Sequence, residues 1–243
     1  MDKFGRNIDY LRVSVTDRCN FRCAYCMPPE GMSLLAHNDI LKYEEFVRII
    51  KVLSTQGINK IRITGGEPLV RRGIVEFVKS ISELGTIVDL SMTSNGSLLP
   101  DLAYRLKEAG LNRINVSLDT VNEERFKRIT GGGTVAATLA GIDAALSVGL
   151  TPVKINVVLT EVFTENDLLF LIELVRNKAI AVRFIEYMPI GYGGIRPGFT
   201  TEQVKLLLIK HVKKILPASI GIGNGPARYF AFDNAQGKFG FIP

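Results

Sequence analysis

Cys19, Cys23 and Cys26 fall within eight residues of one another, in Asp17-Arg18-Cys19-Asn20-Phe21-Arg22-Cys23-Ala24-Tyr25-Cys26, and the chain has no other cysteine. Three thiolates at spacings of four and three can take three corners of a 4Fe-4S cube, which ordinarily takes four. One iron is then left without a protein ligand, and an open coordination position is where a metal site does chemistry. Other readings suit the triplet less well. An odd cysteine count in a chain of 243 residues, with no apolar leader in Met1-Asp2-Lys3-Phe4-Gly5, does not fit a disulfide framework. Structural zinc needs a closed fourth position, and the two histidines, His37 and His211, are not at finger spacing. Ordinary buried cysteines are not expected to cluster with Arg18, Arg22 and Tyr25 around them.

Gly65-Gly66-Glu67-Pro68 is the second constellation. Two glycines let a backbone approach a ligand closely, the carbonyls and carboxylate can accept hydrogen bonds from an ammonium group, and Pro68 stiffens the exit. A simple tight turn is the alternative, because Gly-Gly and Gly-Pro pairs are common punctuation. Its place one strand after the cysteines favours a site. Gly131-Gly132-Gly133 lacks the Lys-Ser/Thr of a phosphate loop and reads as a loop hinge.

The elements that must position these residues follow a repeated pattern. Short apolar runs at strand length occur at Tyr10 to Val15, Lys60 to Thr64, Ile87 to Thr93, Arg113 to Leu118, Pro152 to Val158 and Ala181 to Glu186. Between them, Phe46, Ile49, Ile50 and Leu53, then Ile74, Phe77, Val78 and Ile81, then Leu168, Leu171, Ile172 and Val175 recur at helical spacing. Gly57, Gly85, Gly110 and Gly149 follow helical stretches, where a left-handed C-cap is expected. Alternating strands and helices predict an α/β fold with a parallel sheet, best met by a partial (βα)6 TIM-like barrel; a doubly wound sheet is the runner-up.

In such folds reactive groups gather at the carboxyl ends of strands. Here the cysteine loop, Gly65 to Pro68, Thr93-Ser94-Asn95-Gly96, Ser117-Leu118-Asp119 and Met188-Pro189 all follow strands. Arg12, Arg62 and Lys154 sit inside or beside apolar strand runs, where an unpaired charge is costly. By alternation Arg12 and Ser14 share one face, and Lys154 and Asn156 share another opposite Val153, Ile155 and Val157. A ligand cavity or a salt bridge to Asp or Glu would each account for them. With 47% hydrophobic residues and no apolar run of spanning length, the chain reads as a globular protein of the cytoplasm rather than of a membrane. Thirty basic against twenty-four acidic residues, a net +6, suits an anionic partner such as a nucleotide as well as it suits a solvated surface. No basic block or motif points to a nucleic acid polymer.

The cysteine triplet with an aromatic before its last member, joined to Gly65-Gly66-Glu67-Pro68 after the second strand, resembles the radical SAM superfamily. Leu11 to Cys23, Ile61 to Leu69, Arg113 to Asp119 and Arg183-Phe184-Ile185-Glu186-Tyr187-Met188 resemble, more narrowly, the GTP 3′,8-cyclases of molybdenum cofactor biosynthesis. That resemblance implies a partial barrel with a 4Fe-4S cluster on Cys19, Cys23 and Cys26 and S-adenosyl-L-methionine (SAM) on its open iron. It implies SAM contacts from Tyr25, Gly66, Ser117 and Met188, and GTP contacts from Arg12, Arg62, Thr93 and Lys154. On residue type alone Met188 is more often a core filler, and Ser117 more often a strand-end cap. The activity implied is conversion of GTP to 3′,8-cyclo-7,8-dihydro-GTP through a 5′-deoxyadenosyl radical. The partners implied are GTP, an electron donor such as a flavodoxin or ferredoxin, and the cyclic pyranopterin synthase acting downstream.

Members of that family continue into a segment with a second cysteine triplet for a second cluster, and this sequence has none. It is therefore expected to be truncated before that segment, with residues 1–190 as the barrel and 191–243 as a C-terminal extension. A helix over Thr200 to Lys210 and a hairpin pairing Ala227 to Phe232 with Lys238 to Ile242 are expected there, and Gly191 to Gly194 and Gly221 to Gly225 read as mobile loops. A radical SAM enzyme acting on another substrate, or a non-catalytic fragment that binds cluster and SAM, would have much the same sequence features.

Overall fold

The aliphatic runs become strands. The computed structural model describes residues 3, 5, 8–28, 31, 33–188, 195–219 and 225–243, and both glycine-rich loops of the C-terminal part lie largely outside the described residues. Two units divide the chain: Met1–Asn20 with Ser33–Ile114 and Ala140–Thr151, and Phe21–Met32 with Asn115–Leu139 and Pro152–Pro243.

In the first unit β1 (Tyr10–Ser14), β2 (Lys60–Thr64) and β3 (Asp89–Ser94) pair in parallel in chain order. The helices α1 (Tyr43–Ser54), α2 (Ile74–Ser82) and α3 (Leu99–Glu108) connect them onward. In α2 the four residues of the expected stripe, Ile74, Phe77, Val78 and Ile81, are all buried. In α1 Ile50 is buried but Ile49 is 44% exposed, a correction to the expected stripe. At about 100° per residue, Ile49 lies off the line through Phe46, Ile50 and Leu53. Tyr43 of α1 stacks on Phe77 of α2 with ring centroids 4.5 Å apart. Gly57, Gly85, Gly110 and Gly149 all take positive φ, from 69° to 101°, so the helices end as the glycines require.

Strand β4 (Arg113–Ser117) begins in the first unit and ends in the second. In the second unit it pairs in parallel with β5 (Val153–Leu159), and β5 with β6 (Ile180–Glu186). Two helices, α4 (Glu123–Thr130) and α5 (Val135–Ser147), separate β4 from β5, and α6 (Glu165–Asn177) separates β5 from β6. The α6 stripe of Leu168, Leu171, Ile172 and Val175 is buried as expected.

The C-terminal helix is α7 (Thr201–Val212), with Thr200 as its N-cap accepting from the Gln203 N–H. Beyond it β7 (Leu216–Ala218), β8 (Arg228–Ala231) and β9 (Lys238–Ile242) form antiparallel pairs, so the expected hairpin is present. Alternation alone does not reveal that β9 also pairs in parallel with β6. The cause is aromatic: Phe239 and Phe241, two residues apart on one face, are 0% and 5% exposed, and each ring centroid lies 5.6 Å from that of Phe184 on β6. Burying such a ring is worth about 1.5–3 kcal/mol. Among the described residues no single helix is long and apolar enough to cross a membrane.

Candidate active site

The cysteine loop is anchored at its two ends within different units. At the first end the backbone of Thr16 to Arg18 lies against the Gly65-Gly66 turn after β2. The Gly66 N–H donates to the Thr16 carbonyl at 2.6 Å and the Glu67 N–H to the Arg18 carbonyl at 2.8 Å. A methyl group on Gly65 would stand 2.6 Å from the Thr16 carbonyl oxygen, and one on Gly66 would stand 2.3 Å from that of Arg18. The glycine pair is thus required by the protein's own backbone, next to Cys19, before any ligand is considered.

Glu67 departs from expectation. Its carboxylate is 1% exposed and accepts from the Leu69 N–H at 3.0 Å, the Ser94 hydroxyl at 2.9 Å and the Asn95 N–H at 2.7 Å. Those oxygens are committed inside the protein rather than offered to an ammonium ligand. Burial raises its pKa, and the three donors oppose that shift. Through them Glu67 fixes the end of β3, where the Asn95 amide donates to Asn20 at 2.8 Å and Asn20 donates to Ser97 at 3.0 Å. Asn20 follows Cys19 directly, so Glu67, Asn95 and Asn20 form a relay the sequence reading missed. The sequence signal was the polar run Ser94-Asn95-Gly96-Ser97 at a strand end together with Asn20 directly after Cys19.

At the other end Phe21, 6% exposed, packs edge-on against Phe126 of α4 and under Gly133. A Cβ on Gly133 would come within 2.5 Å of the Phe21 ring, so this glycine is a packing requirement more than a hinge. The Arg22 and Ala24 N–H groups donate to the carbonyls of Thr130 and Ile129 at 2.7 and 2.9 Å. The Cys26 and Met27 N–H groups then both donate to the Cys23 carbonyl, at 2.8 and 3.0 Å, closing a turn. Cys19 and Cys23 are half-buried and Cys26 is exposed. Among the described residues no three His, Cys, Asp or Glu side chains converge as metal ligands, the cysteines included.

Tyr25, inside that turn, donates its hydroxyl to Asp119 at 2.7 Å, and the other Asp119 oxygen accepts the Val158 N–H of β5 at 2.8 Å. Burial pushes Asp119 up to about 6. Burial, then the Asp119 charge, then the nearby Cys23 thiol raise the Tyr25 phenol well above its ordinary value. The segment after Asp119 is held as well, since the fully buried Asp167 of α6 accepts from the Thr120 hydroxyl and the Val121 N–H at 2.7 and 2.8 Å.

Strand registers place the remaining candidates. In the first unit Arg12, Arg62 and Ser91 form one row across β1, β2 and β3. Arg12 is exposed, while Arg62 is half-buried over the Tyr10 ring. Thr93 is half-buried near the end of β3, and Gly66 is exposed. In the second unit two rows cross β4, β5 and β6: Asn115, Lys154 and Ala181, and two residues on, Ser117, Asn156 and Arg183. Lys154 is 2% and Arg183 6% exposed, and Arg183 donates to the Asn156 side-chain amide oxygen at 2.5 Å. The predicted sharing of a face by Lys154 and Asn156 therefore gives this unit a polar face bearing two buried cations. Ser117 is half-buried. Met188 is 63% exposed, which removes the core-filler reading.

Residues 13–175 match the model of the radical SAM superfamily. The chain is 46% identical to the GTP 3′,8-cyclase of Petrotoga mobilis over 245 aligned positions, covering the whole of this chain and 75% of that protein. The GTP 3′,8-cyclase of Heliobacterium modesticaldum is equally similar, at 46% identity with the same coverage of both chains. Among solved structures the chain is similar to Streptococcus suis SuiB bound to S-adenosylmethionine, with a TM-score of 0.71 at 15% identity over 97% of this chain and 50% of that one. It is also similar to methylornithine synthase, with a TM-score of 0.63 at 18% identity over 88% of this chain and 66% of that one. These likenesses bear out the expected α/β fold class of the radical SAM type.

Proposed function

The chain belongs to the GTP 3′,8-cyclase family of the radical SAM superfamily, and on that footing we propose that it converts GTP to 3′,8-cyclo-7,8-dihydro-GTP, the first step of molybdopterin biosynthesis. The observation that carries the reading is identity of 42–46% to curated cyclases along essentially the whole chain. The donor set fits a 4Fe-4S cluster: three partly accessible thiols on one short loop, with Cys23 and Cys26 brought round by a tight turn. Soft thiolate donors suit iron-sulfur chemistry, and three of them leave one iron open. Cys19, Cys23 and Cys26 would hold that cluster, which when bound and reduced would supply the electron for reductive cleavage of SAM to methionine and a 5′-deoxyadenosyl radical able to take hydrogen from the GTP ribose.

The protein's own share is binding, orientation and exclusion of water. Tyr25, Gly66, Ser117 and Met188 are the proposed SAM contacts. Tyr25 is fixed by Asp119, and Gly66 lies on the backbone turn beside Cys19. Arg12, Arg62, Thr93 and Lys154 are the proposed GTP contacts. A triphosphate suits the guanidinium row of Arg12 and Arg62 and the ammonium of Lys154, which offer cationic donors to phosphate oxygens. Residues 1–190 would carry this chemistry, with 191–243 as an extension. A flavodoxin or ferredoxin would deliver the electron in the cytoplasm, and a cyclic pyranopterin synthase would consume the product.

The test is anaerobic reconstitution with iron and sulfide, reduction by dithionite, and addition of SAM and GTP. The expected products are 5′-deoxyadenosine and a cyclised nucleotide, both lost in Cys26→Ala. Release of 5′-deoxyadenosine no greater than in that variant would overturn the reading.

A further inference from the structure

Asp119 has no partner in the proposed contacts with SAM or GTP, yet it is 3% exposed and both of its carboxylate oxygens are committed. One accepts the Val158 N–H of β5 at 2.8 Å, and the other accepts the Tyr25 hydroxyl at 2.7 Å across a separation of 94 residues. The carboxylate stands two residues beyond Ser117, the last residue of β4, where the main chain leaves the sheet. It holds Val158, two residues past Asn156, the last β5 residue paired with β4. Its own position is not adjustable, because the next two residues, Thr120 and Val121, are bonded to the buried Asp167 of α6. Tyr25 in turn lies between Cys23 and Cys26 in the chain, inside the turn that the Cys26 and Met27 N–H groups close on the Cys23 carbonyl. On its other side the segment is tied to the end of α4 by the Arg22 and Ala24 N–H groups, which donate to the Thr130 and Ile129 carbonyls.

We infer that Asp119 is a positioning residue for the SAM site, which fixes the Tyr25 ring, and with it the turn that carries Cys23 and Cys26, to the ends of β4 and β5. The inference rests on the proposed role of Tyr25 as a SAM contact. A buried phenol and carboxylate that neutralise one another's desolvation would be a bland alternative, but a stabilising pair need not sit inside the cysteine turn. The geometry makes the hydroxyl the only side-chain hydrogen bond that Tyr25 shows among the described contacts. The net contribution of an ordinary hydrogen bond corresponds to roughly a five- to tenfold change, and that is the effect expected from its loss at a site it supports indirectly.

The experiment uses the full chain with four substitutions: Asp119→Ala, Asp119→Asn, Tyr25→Phe and the Asp119→Ala/Tyr25→Phe pair. Two quantities are measured. One is the SAM dissociation constant of the reconstituted protein by equilibrium dialysis. The other is the iodoacetamide alkylation rate of Cys23 relative to Cys19 in cluster-free protein, mapped by mass spectrometry. Asp119→Ala and Tyr25→Phe should each weaken SAM binding and speed Cys23 alkylation about five- to tenfold, and the double variant should do no worse than Asp119→Ala alone. Asp119→Asn keeps an acceptor for Val158 and a polar group for the phenol, so it should return both quantities to within about twofold of the parent. Parent-like values for Tyr25→Phe, or effects of the two substitutions that simply add, would overturn the inference. A parent protein that takes up iron and sulfide but binds no SAM would overturn the functional reading instead, and this inference with it.

Discussion

Replacing Gly66 by alanine tests whether the glycine pair serves the protein's own backbone, and its size can be worked out from the geometry. The added carbon would meet the Arg18 carbonyl oxygen at 2.3 Å, the Arg18 carbonyl carbon at 2.6 Å and the Asp17 carbonyl oxygen at 3.0 Å. All three are backbone atoms, so no flexible side chain can move aside. Restoring an ordinary contact needs a displacement of about 1 Å, since non-bonded carbon contacts settle near 3.5 Å. The same displacement would carry the Gly66–Thr16 and Glu67–Arg18 hydrogen bonds, now 2.6 and 2.8 Å, beyond their useful range. Overpacking costs about 1–3 kcal/mol, and each lost bond adds roughly 0.5–1.5 kcal/mol, partly the same energy counted twice. A loss of about 2–4 kcal/mol in urea unfolding is the expected outcome.

Cys19 follows Arg18 directly, so the same shift moves a proposed cluster ligand, and a misplacement of about 1 Å can lower a rate by about a hundredfold. Iron and sulfide content, measured without SAM, separates displacement of the cysteine from loss of a SAM contact. Gly57→Ala is the control: φ there is +101° and nothing lies within 4 Å of the added carbon, so it should lose about 1 kcal/mol with parent-like nucleoside release. A Gly66→Ala protein within about 0.5 kcal/mol of the parent, with parent-like iron content and 5′-deoxyadenosine yield, would refute the reasoning.

Two further outcomes are expected. Asp89 and Arg113, the first residues of β3 and β4, form a bidentate pair at 2.6 and 2.9 Å with side chains only 11% and 2% exposed; Asp89→Ala should cost about 3–5 kcal/mol in urea unfolding, and the double change Asp89→Leu/Arg113→Met should recover most of it, because a stranded buried cation is worse than none. Asp119, raised from 3.8 unfolded to about 6 folded, binds its proton more tightly in the folded state, so its contribution is fully present below pH 3.8 and is lost as the pH rises through 6. The loss of about 3 kcal/mol across that window should vanish from the pH profile of thermal unfolding in Asp119→Asn, and an unchanged profile would contradict it.

Most of the fold was legible because it rests on local periodicity. The stripes of α2 and α6 and the four glycine ends could be read from spacing alone, and Lys154 and Asn156 declared a polar face simply by alternating with valine and isoleucine. What was not legible depends on pairings between distant segments. Glu67 looked like a ligand for an ammonium group until Ser94 and Asn95, a strand away, were seen to occupy it. Gly133 looked like a hinge until the Phe21 ring was seen beneath it. The parallel pairing of β9 with β6 is set by three phenylalanines, Phe184, Phe239 and Phe241, whose meeting no window of sequence contains. The exposed Ile49 shows the limit of periodicity even within a helix, since four apolar residues at helical spacing do not all fall on one line.

The cysteine loop draws these threads together, because its two ends answer to separate sets of partners. Cys19 follows a backbone segment pressed onto Gly65 and Gly66, and Asn20 beyond it joins the relay through Asn95 to Glu67. Cys23 and Cys26 belong to a turn tied to the end of α4 and, through Tyr25, to Asp119. Among the contacts described above the two sets share no residue, so a disturbance at Gly66 and one at Tyr25 should add, whereas disturbances at Tyr25 and Asp119 should not. The proposed cluster, held by three thiolates, would tolerate little error in any of them, since no fourth thiolate could compensate for a displaced one. Glu67 and Asp119 are buried at a cost that their hydrogen bonds offset, and those bonds tie them, through Asn95 and Asn20 on one side and Tyr25 on the other, to residues beside the cysteines.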